Sequence, residues 1–429
     1  ERLAKWVRRN PGAMTVAATI AVLLAALAVH GGWRDLRRFS RAESLLDEAA
    51  VAADSGHSKT AAEIVLAAQI ELIRPNAVLP ERFTAARRGV LDELLATLAT
   101  RVARSELQRF EQLADARRSA VFGQPRPKGD WDYAADPLEV YQVLDRNDWE
   151  QLPYYRKLDP GERIRVAEDV TELLLVGIIA MEEDKKTDAA SADRRAAKML
   201  DLLAHVPAIH RNAPPIELLR RHVQQKRPGR VETDQLVGVA ADEFDYYLAG
   251  VIAAQRGEFT TAVECLETSM QHRPSDQPPR FWARFLHAHC CERAGRDDEA
   301  IADYGICIGQ RHDFAWPYHN LGLIYTKRGR YALAIKNLQE AVRLDPKLGE
   351  AHANLGVAQF QMRRFDAARR SFGQAIERGY QTAEVYSNRA AAREALGDFQ
   401  GAQVDLEHAL KLDPDCEAAR ENRKRLDSP

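Results

Sequence analysis

The sequence predicts an all-α chain: a transmembrane helix, an irregular helical region, and then a superhelical solenoid of about five helical hairpins. Three observations carry this reading. Small and apolar residues recur in one register over residues 243–416, with a period of about 34 residues. The stretch 12–33 contains no charged residue, and about 20 apolar residues suffice for a helix to cross a bilayer. No run shows the period-2 alternation of a half-buried strand.

Taken in order, residues 1–11 form a basic juxtamembrane segment with Arg2, Lys5, Arg8 and Arg9. The apolar stretch 12–33 follows, flanked by Trp6 and Trp33 as interfacial anchors. Two readings compete with a membrane span there: a buried helix, and a signal peptide cleaved after Ala28. Arg34, Arg37, Arg38 and Arg41 follow the stretch, so both flanks are basic and charge barely sets orientation. The irregular helical region occupies 34–235. Residues 34–75 read as two helices around Ser55-Gly56-His57, the second with Ala61, Val65, Ala68 and Leu72 at helical spacing. Residues 81–121 read as one long helix or two, with Leu91, Leu94, Leu95 and Leu98 on one stripe. A Pro/Gly loop at 123–137 precedes the aromatics Tyr141, Trp149, Tyr154 and Tyr155, which are expected to fill a seam between helices. Helices are expected at 161–183, 191–205 and 216–225, and a loop around Lys226-Arg227-Pro228-Gly229 leads into the solenoid.

The solenoid divides into 243–276, 281–314, 315–348, 349–382 and 383–416, and residues 417–429 supply the polar capping helix that such an array needs. The middle repeat resembles the tetratricopeptide (TPR) pattern through Tyr318, Leu321, Gly322, Tyr325, Ala334, Leu338, Ala341 and Pro346. Gly322 and Ala334 are expected to be small because two helix backbones pass closely there. Gly329 is expected to take a left-handed turn between the helices, and Pro346 to end the second. The neighbouring repeats carry Leu355, Gly356, Ala368 and Phe372, then Ala390, Gly397, Ala402 and Leu406; upstream lie Ala288, Gly295 and Ala300, and Gly250, Gly257 and Ala262.

Composition and motifs exclude several classes of function. The net charge of −2 over 429 residues gives no basic face for nucleic acid. Five cysteines make no complete disulfide framework, and Cys291 and Cys307 fall at packing positions of the repeat. His287, His289, Cys290 and Cys291 are close in sequence but lack the spacing of a four-ligand zinc site. The fragments Ala334-Ile335-Lys336, Arg311-His312-Asp313 and Asp313-Phe314-Ala315 look like kinase motifs, yet they stand in the wrong order and on helices. No catalytic residue, metal site or cofactor is expected in this chain.

What remains is a surface. The TPR resemblance implies that the second, fifth, ninth and twelfth residues of each first helix face a concave groove. Those positions hold Phe244 and Tyr247, then Trp282, Phe285 and His289, then Trp316, His319 and Leu323, then Glu350, Val357 and Phe360. Aromatic residues with little charge mark interface centres, so a protein or peptide ligand is expected in this groove; packing of Phe244 and Trp282 against the preceding helices is the competing reading. Asn320, Asn354 and Asn388 recur at the sixth position. The lysine of a carboxylate-clamping groove is absent, since Tyr247, Phe285, His319, Ala353 and Ser387 stand at the fifth.

The strings ERLAKWVRRNP, FWARFLHAHCCERAGRDDEAIADYGICI and DFAWPYHNLGLIY, in that order around an apolar span, resemble the C-terminal region of membrane-anchored bacterial Ser/Thr protein kinases of the planctomycete type. The resemblance implies a kinase domain N-terminal to the span, a single pass through the cytoplasmic membrane and an extracytoplasmic TPR region. The chain would then be the non-catalytic anchor and sensor or scaffold of a kinase, with ligand capture altering proximity or homodimerisation of the attached domain. The alternative is a stand-alone membrane-anchored TPR adaptor for assembly of an envelope complex.

Overall fold

A computed structural model describes residues 33–53, 55, 58–73, 81–123, 137–145, 148–182, 189–224, 233–273 and 280–427. Among these residues every regular element is helical and none is a strand. Residues 12–32 of the expected span lie outside them. No described helix is long and apolar enough to cross a membrane. The loop at Lys226-Arg227-Pro228-Gly229 and most of 123–137 also lie outside.

The chain divides into two compact units. The first comprises residues 1–118, 127–174 and 197–211. It contains α1 (33–53), α2 (Ser58–Ile73), α3 (Glu81–Gly123, 43 residues) up to Arg118, the one-turn α4 (Pro153–Arg156), α5 (Pro160–Glu182) up to Leu174, and the end of α6 (Ala189–Ala204). Each of the first helices buries one stripe at the spacing an α-helix demands: Phe39, Ala42, Leu46 and Ala49 on α1, and Ala61, Val65, Ala68 and Leu72 on α2. The 81–121 stretch is one unbroken helix. Its buried stripe includes Leu91, Leu98 and Val102, while Leu94, expected on that stripe, is 44% exposed at its margin. Tyr141 centres an aromatic cluster, with ring centroids 5.3 Å from Phe110, 6.2 Å from Trp149, 6.0 Å from Tyr154 and 5.5 Å from Tyr155. Further along α3, Arg118 is buried between two acids, its Nη2 2.9 Å from Glu172 and 2.5 Å from Asp169.

The second unit comprises residues 119–126, 175–196 and 212–429, so it takes in more chain than the predicted array. It opens its continuous part with α7 (Pro214–Gln224), near the helix expected over 216–225, and a short α8 (Thr233–Val239) that the sequence does not mark. Thr233 explains α8's place: it is buried, donates its hydroxyl proton to Glu258 and accepts from Arg256 at 3.3 Å. Five hairpins follow: α9 (Glu243–Gln255) with α10 (Phe259–His272), α11 (Phe281–Arg293) with α12 (Asp297–Gln310), α13 (Ala315–Lys327) with α14 (Tyr331–Leu344), α15 (Gly349–Gln361) with α16 (Phe365–Glu377), and α17 (Ala383–Ala395) with α18 (Phe399–Leu412). A terminal α19 (Glu417–Asp427) covers the last hairpin.

The register is physical. Ala262, Ala300, Ala334, Ala368 and Ala402 share the twentieth position and all are buried. The eighth position is small because the twenty-fourth reaches into it. A Cβ on Gly250 would come 2.7 Å from Leu266 Cγ, one on Gly322 2.4 Å from Leu338 Cγ, and one on Gly356 2.7 Å from Phe372 Cε1. The neighbour at Gly322 is thus a side chain, which corrects the expectation of a close backbone approach: Leu338 fills the space that the missing side chain leaves. At the fifteenth position Gly257, Gly295, Gly329 and Gly397 have φ between 70° and 82°, the left-handed turn joining the two helices. In the fourth repeat Arg363 holds that conformation, with φ 58°.

Candidate partner-binding groove

Exposure divides the eleven sequence-predicted groove residues. Phe244, Tyr247, Phe285, Trp316, His319 and Asn320 are buried; Trp282, His289, Leu323, Asn354 and Asn388 are half-buried. Phe285 and His319 are 0% exposed and Trp316 is 9% exposed. Phe285 is buried among aromatic rings of its own repeat. The Phe285 ring lies 5.5 Å from Trp282, 5.6 Å from Tyr304 and 6.2 Å from Phe314.

Two of the three asparagines at the sixth position, Asn320 and Asn354, serve the joints between repeats. Asn320 Nδ2 donates to the Tyr304 hydroxyl at 2.8 Å, and Asn354 Nδ2 lies 3.1 Å from His319 Nε2. The terminal helix repeats the device, with Asn422 Nδ2 donating to Ser387 Oγ at 2.9 Å. Asn422 falls one period after Asn388, so α19 continues the register of the first helices. Sequence reasoning did not single out Asn422; the period itself was the signal.

Two aromatic faces of the array already hold a cation from the chain. The Arg280 guanidinium sits 5.3 Å from the Phe244 ring and 5.9 Å from Tyr247, while its Nε donates to Glu243 at 2.7 Å. Arg311 lies 4.8 Å from Phe281 and 4.7 Å from Phe314. Such cation–π contacts contribute about 0.5–1 kcal/mol where exposed, and more when dry.

The histidines of the groove carry no charge at neutral pH. Burial drives the His319 ring down to about 4. Burial, and then Arg293, drives His289 down to about 4. Glu350, at the second position of the fourth repeat, moves the other way: burial alone pushes its carboxyl up to about 7. Its Oε2 is buried without a hydrogen-bond partner.

His287 has a structural task. Its Nδ1 lies 2.5 Å from Asp303, which also accepts from Arg284 at 2.5 Å, and its Nε2 lies 3.5 Å from Glu267. All five cysteines are buried free thiols; burial pushes Cys265 up to about 11 and Cys307 up to about 12, away from reactivity. Among the described residues no group of three or more His, Cys, Asp or Glu is placed to hold a metal ion.

Comparison with known families fits this geometry. A TPR repeat model matches residues 322–362, and a tetratricopeptide repeat model matches 383–416. The chain carries TPR repeats. Among curated relatives, RNA polymerase II-associated protein 3 of Xenopus tropicalis is 36% identical over 101 residues, 23% of this chain and 15% of that protein. The Hsp70-Hsp90 organizing protein of Triticum aestivum is 35% identical over 81 residues, 19% of this chain and 14% of that protein. The chain therefore spans only a small part of either relative. Among solved structures, MamA of AMB-1 is 22% identical, covers 44% of this chain and 98% of its own, and superposes with a TM-score of 0.36. YrrB, described as a TPR protein with an unusual peptide-binding site, is 18% identical, with 43% of this chain and 92% of its own covered and a TM-score of 0.37. At those scores neither structure bears on what this chain binds.

Proposed function

We propose that this chain is a TPR interaction scaffold that captures a protein or peptide segment along the concave face of its repeats. The observation that carries the reading is the row of half-buried side chains left on the first helices: Trp282, His289, Leu323, Asn354 and Asn388. They offer apolar faces and amides at successive repeats. A named relative that organises Hsp70 and Hsp90 supports an interaction role for the repeat segment. The buried residues Phe244, Tyr247, Phe285, Trp316, His319 and Asn320 set the shape of the groove beneath the row.

Two finer parts of the reading rest on the sequence. Residues 12–33 anchor the chain in the cytoplasmic membrane as a single pass, with the repeats on the extracytoplasmic side, and the chain serves as the sensor or scaffold region of a Ser/Thr protein kinase. The apolar length of the stretch and the strings around it support both.

The test of capture uses the full chain on a random peptide array, beside a Trp282→Ala, Leu323→Ala variant checked for native helicity by circular dichroism. Loss of binding at retained helicity is expected; unchanged binding would remove the groove reading. The anchor is tested by membrane fractionation of the expressed chain, where recovery in the soluble fraction counts against it. The kinase part fails if no kinase motifs are encoded upstream of Glu1.

A further inference from the structure

We propose that the concave face of the third to fifth repeats takes a basic peptide segment, with a Lys or Arg side chain of that peptide paired to Glu350. The inference rests on the peptide-capture reading and names the chemistry of its partner.

Charge on the concave positions is one-sided. In these three repeats the second, fifth, ninth and twelfth positions hold Trp316, His319, Leu323 and Thr326, then Glu350, Ala353, Val357 and Phe360, then Glu384, Ser387, Ala391 and Glu394. None is Lys or Arg, and His319 is neutral at pH 7 because it is buried. Glu394 is already paired, with Arg425 at 2.7 Å. Glu384 is exposed to water.

Glu350 is the unusual member. Its Oε2 is buried and unpartnered, and no cation among the described residues pairs with it. A carboxylate on the first turn of a helix is favoured by the helix dipole, and Glu384 occupies the same turn of α17 for that reason. The dipole does not explain burial without a partner, which is costly. A cation brought by a ligand would satisfy that oxygen. Trp316 stands beside it in the register. The bond between Asn354 and His319 ties α15 to α13, and Glu350 and Trp316 lie one turn before those two residues on their respective helices.

The first repeat shows that this face suits a guanidinium. There the second- and fifth-position rings, Phe244 and Tyr247, and the carboxylate of Glu243 hold Arg280 of the chain itself. In the fourth repeat the carboxylate stands one position later, at Glu350 in place of Phe244, and no cation of the described chain pairs with it. A peptide ending in a free carboxylate would instead meet Glu350 and Glu384, a repulsive arrangement consistent with the missing clamp lysine.

The test uses the full chain and two matched peptide arrays that differ only in Gln replacing every Lys and Arg. The chain is expected to bind the basic array, and Glu350→Gln to weaken that binding about tenfold while leaving helicity and Gln-array binding unchanged. Glu384→Gln, at an exposed carboxylate, should weaken it less than threefold. Equal binding to both arrays, or no effect of Glu350→Gln, overturns the basic preference while peptide capture stands. Binding to neither array overturns capture and preference together.

Discussion

His287 and Asp303 meet across the second hairpin, with Nδ1 of the ring 2.5 Å from the carboxylate and both groups buried. They occupy the seventh and twenty-third positions of the repeat. In the fifth repeat the same positions hold Arg389 and Asp405, bonded at 2.9 and 2.6 Å. In the third and fourth repeats the seventh position is Leu321 or Leu355. The ion pair is thus particular to some repeats: in the fourth, Leu355 at the seventh position packs with Ala334, Ile335 and Leu338 of the repeat before it. A buried pair is weak evidence for added stability, but it is strongly destabilising to break.

That pair gives the second hairpin a pH signature. Burial opposes charging of His287, yet its hydrogen bonds with Asp303 and Cys291 outweigh burial and raise the ring from 6.5 to about 10. A raised folded value means stabilisation present below about pH 6.5 and lost as pH rises toward 10. Denaturant titrations of the wild type across that window should lose on the order of 2 kcal/mol from this source. In Asp303→Asn the decline should flatten, since the partner that holds the ring charged has gone. Parallel slopes for the two proteins would refute the assignment.

Gly322→Ala should destabilise the array by about 1–3 kcal/mol, because the new methyl would overlap Leu338 Cγ, now 2.4 Å from that site. Leu338→Ala opens the same space and costs stability by itself. The two changes share one cavity, so the double variant should be less destabilised than the sum of the singles. Strict additivity in thermal unfolding would show that the close contact is not the cause.

Arg363 holds a left-handed backbone at the position where the other four repeats have glycine. Removing its Cβ relieves strain of about 1–2 kcal/mol, partly offset by the freer unfolded chain. Arg363→Gly should therefore raise stability by up to about 1 kcal/mol, visible as a higher denaturant midpoint with unchanged slope. A lower midpoint would contradict it.

Tyr141 is fully buried in the aromatic cluster and its hydroxyl has no hydrogen-bond partner among the described residues. Burial and then Glu106 keep that phenol protonated far above the ordinary tyrosine range. Tyr141→Phe keeps the ring and removes the unsatisfied group, so it should stabilise the protein by about 1 kcal/mol. Destabilisation by calorimetry would show that the hydroxyl is needed.

Much of the repeat array was legible in the sequence because its period repeats the same local problem. Two helices in a hairpin must find a small residue opposite a large one, and a residue that tolerates positive φ between them. Gly322 facing Leu338, and Gly257, Gly295, Gly329 and Gly397 at the turns, answer it visibly. The groove was less legible. The period assigns Phe285 and His319 to the first helices, but it does not say how deeply the surrounding side chains cover them. The joints at Asn354 and Asn422 likewise depend on which residue the preceding repeat presents at its fifth position, His319 or Ser387.

The sequence by itself determined that the described chain is helical and built of repeated hairpins, and which small residues meet large ones inside them, since those follow from spacing within one short segment. Tertiary structure alone decided what the surfaces offer. Stacking buried Trp316 and His319, seated Arg280 on Phe244 and Tyr247, and left Glu350 without a partner. The reason is range: hairpin packing is set by residues within one period, whereas exposure and charge pairing depend on groups brought together from different repeats.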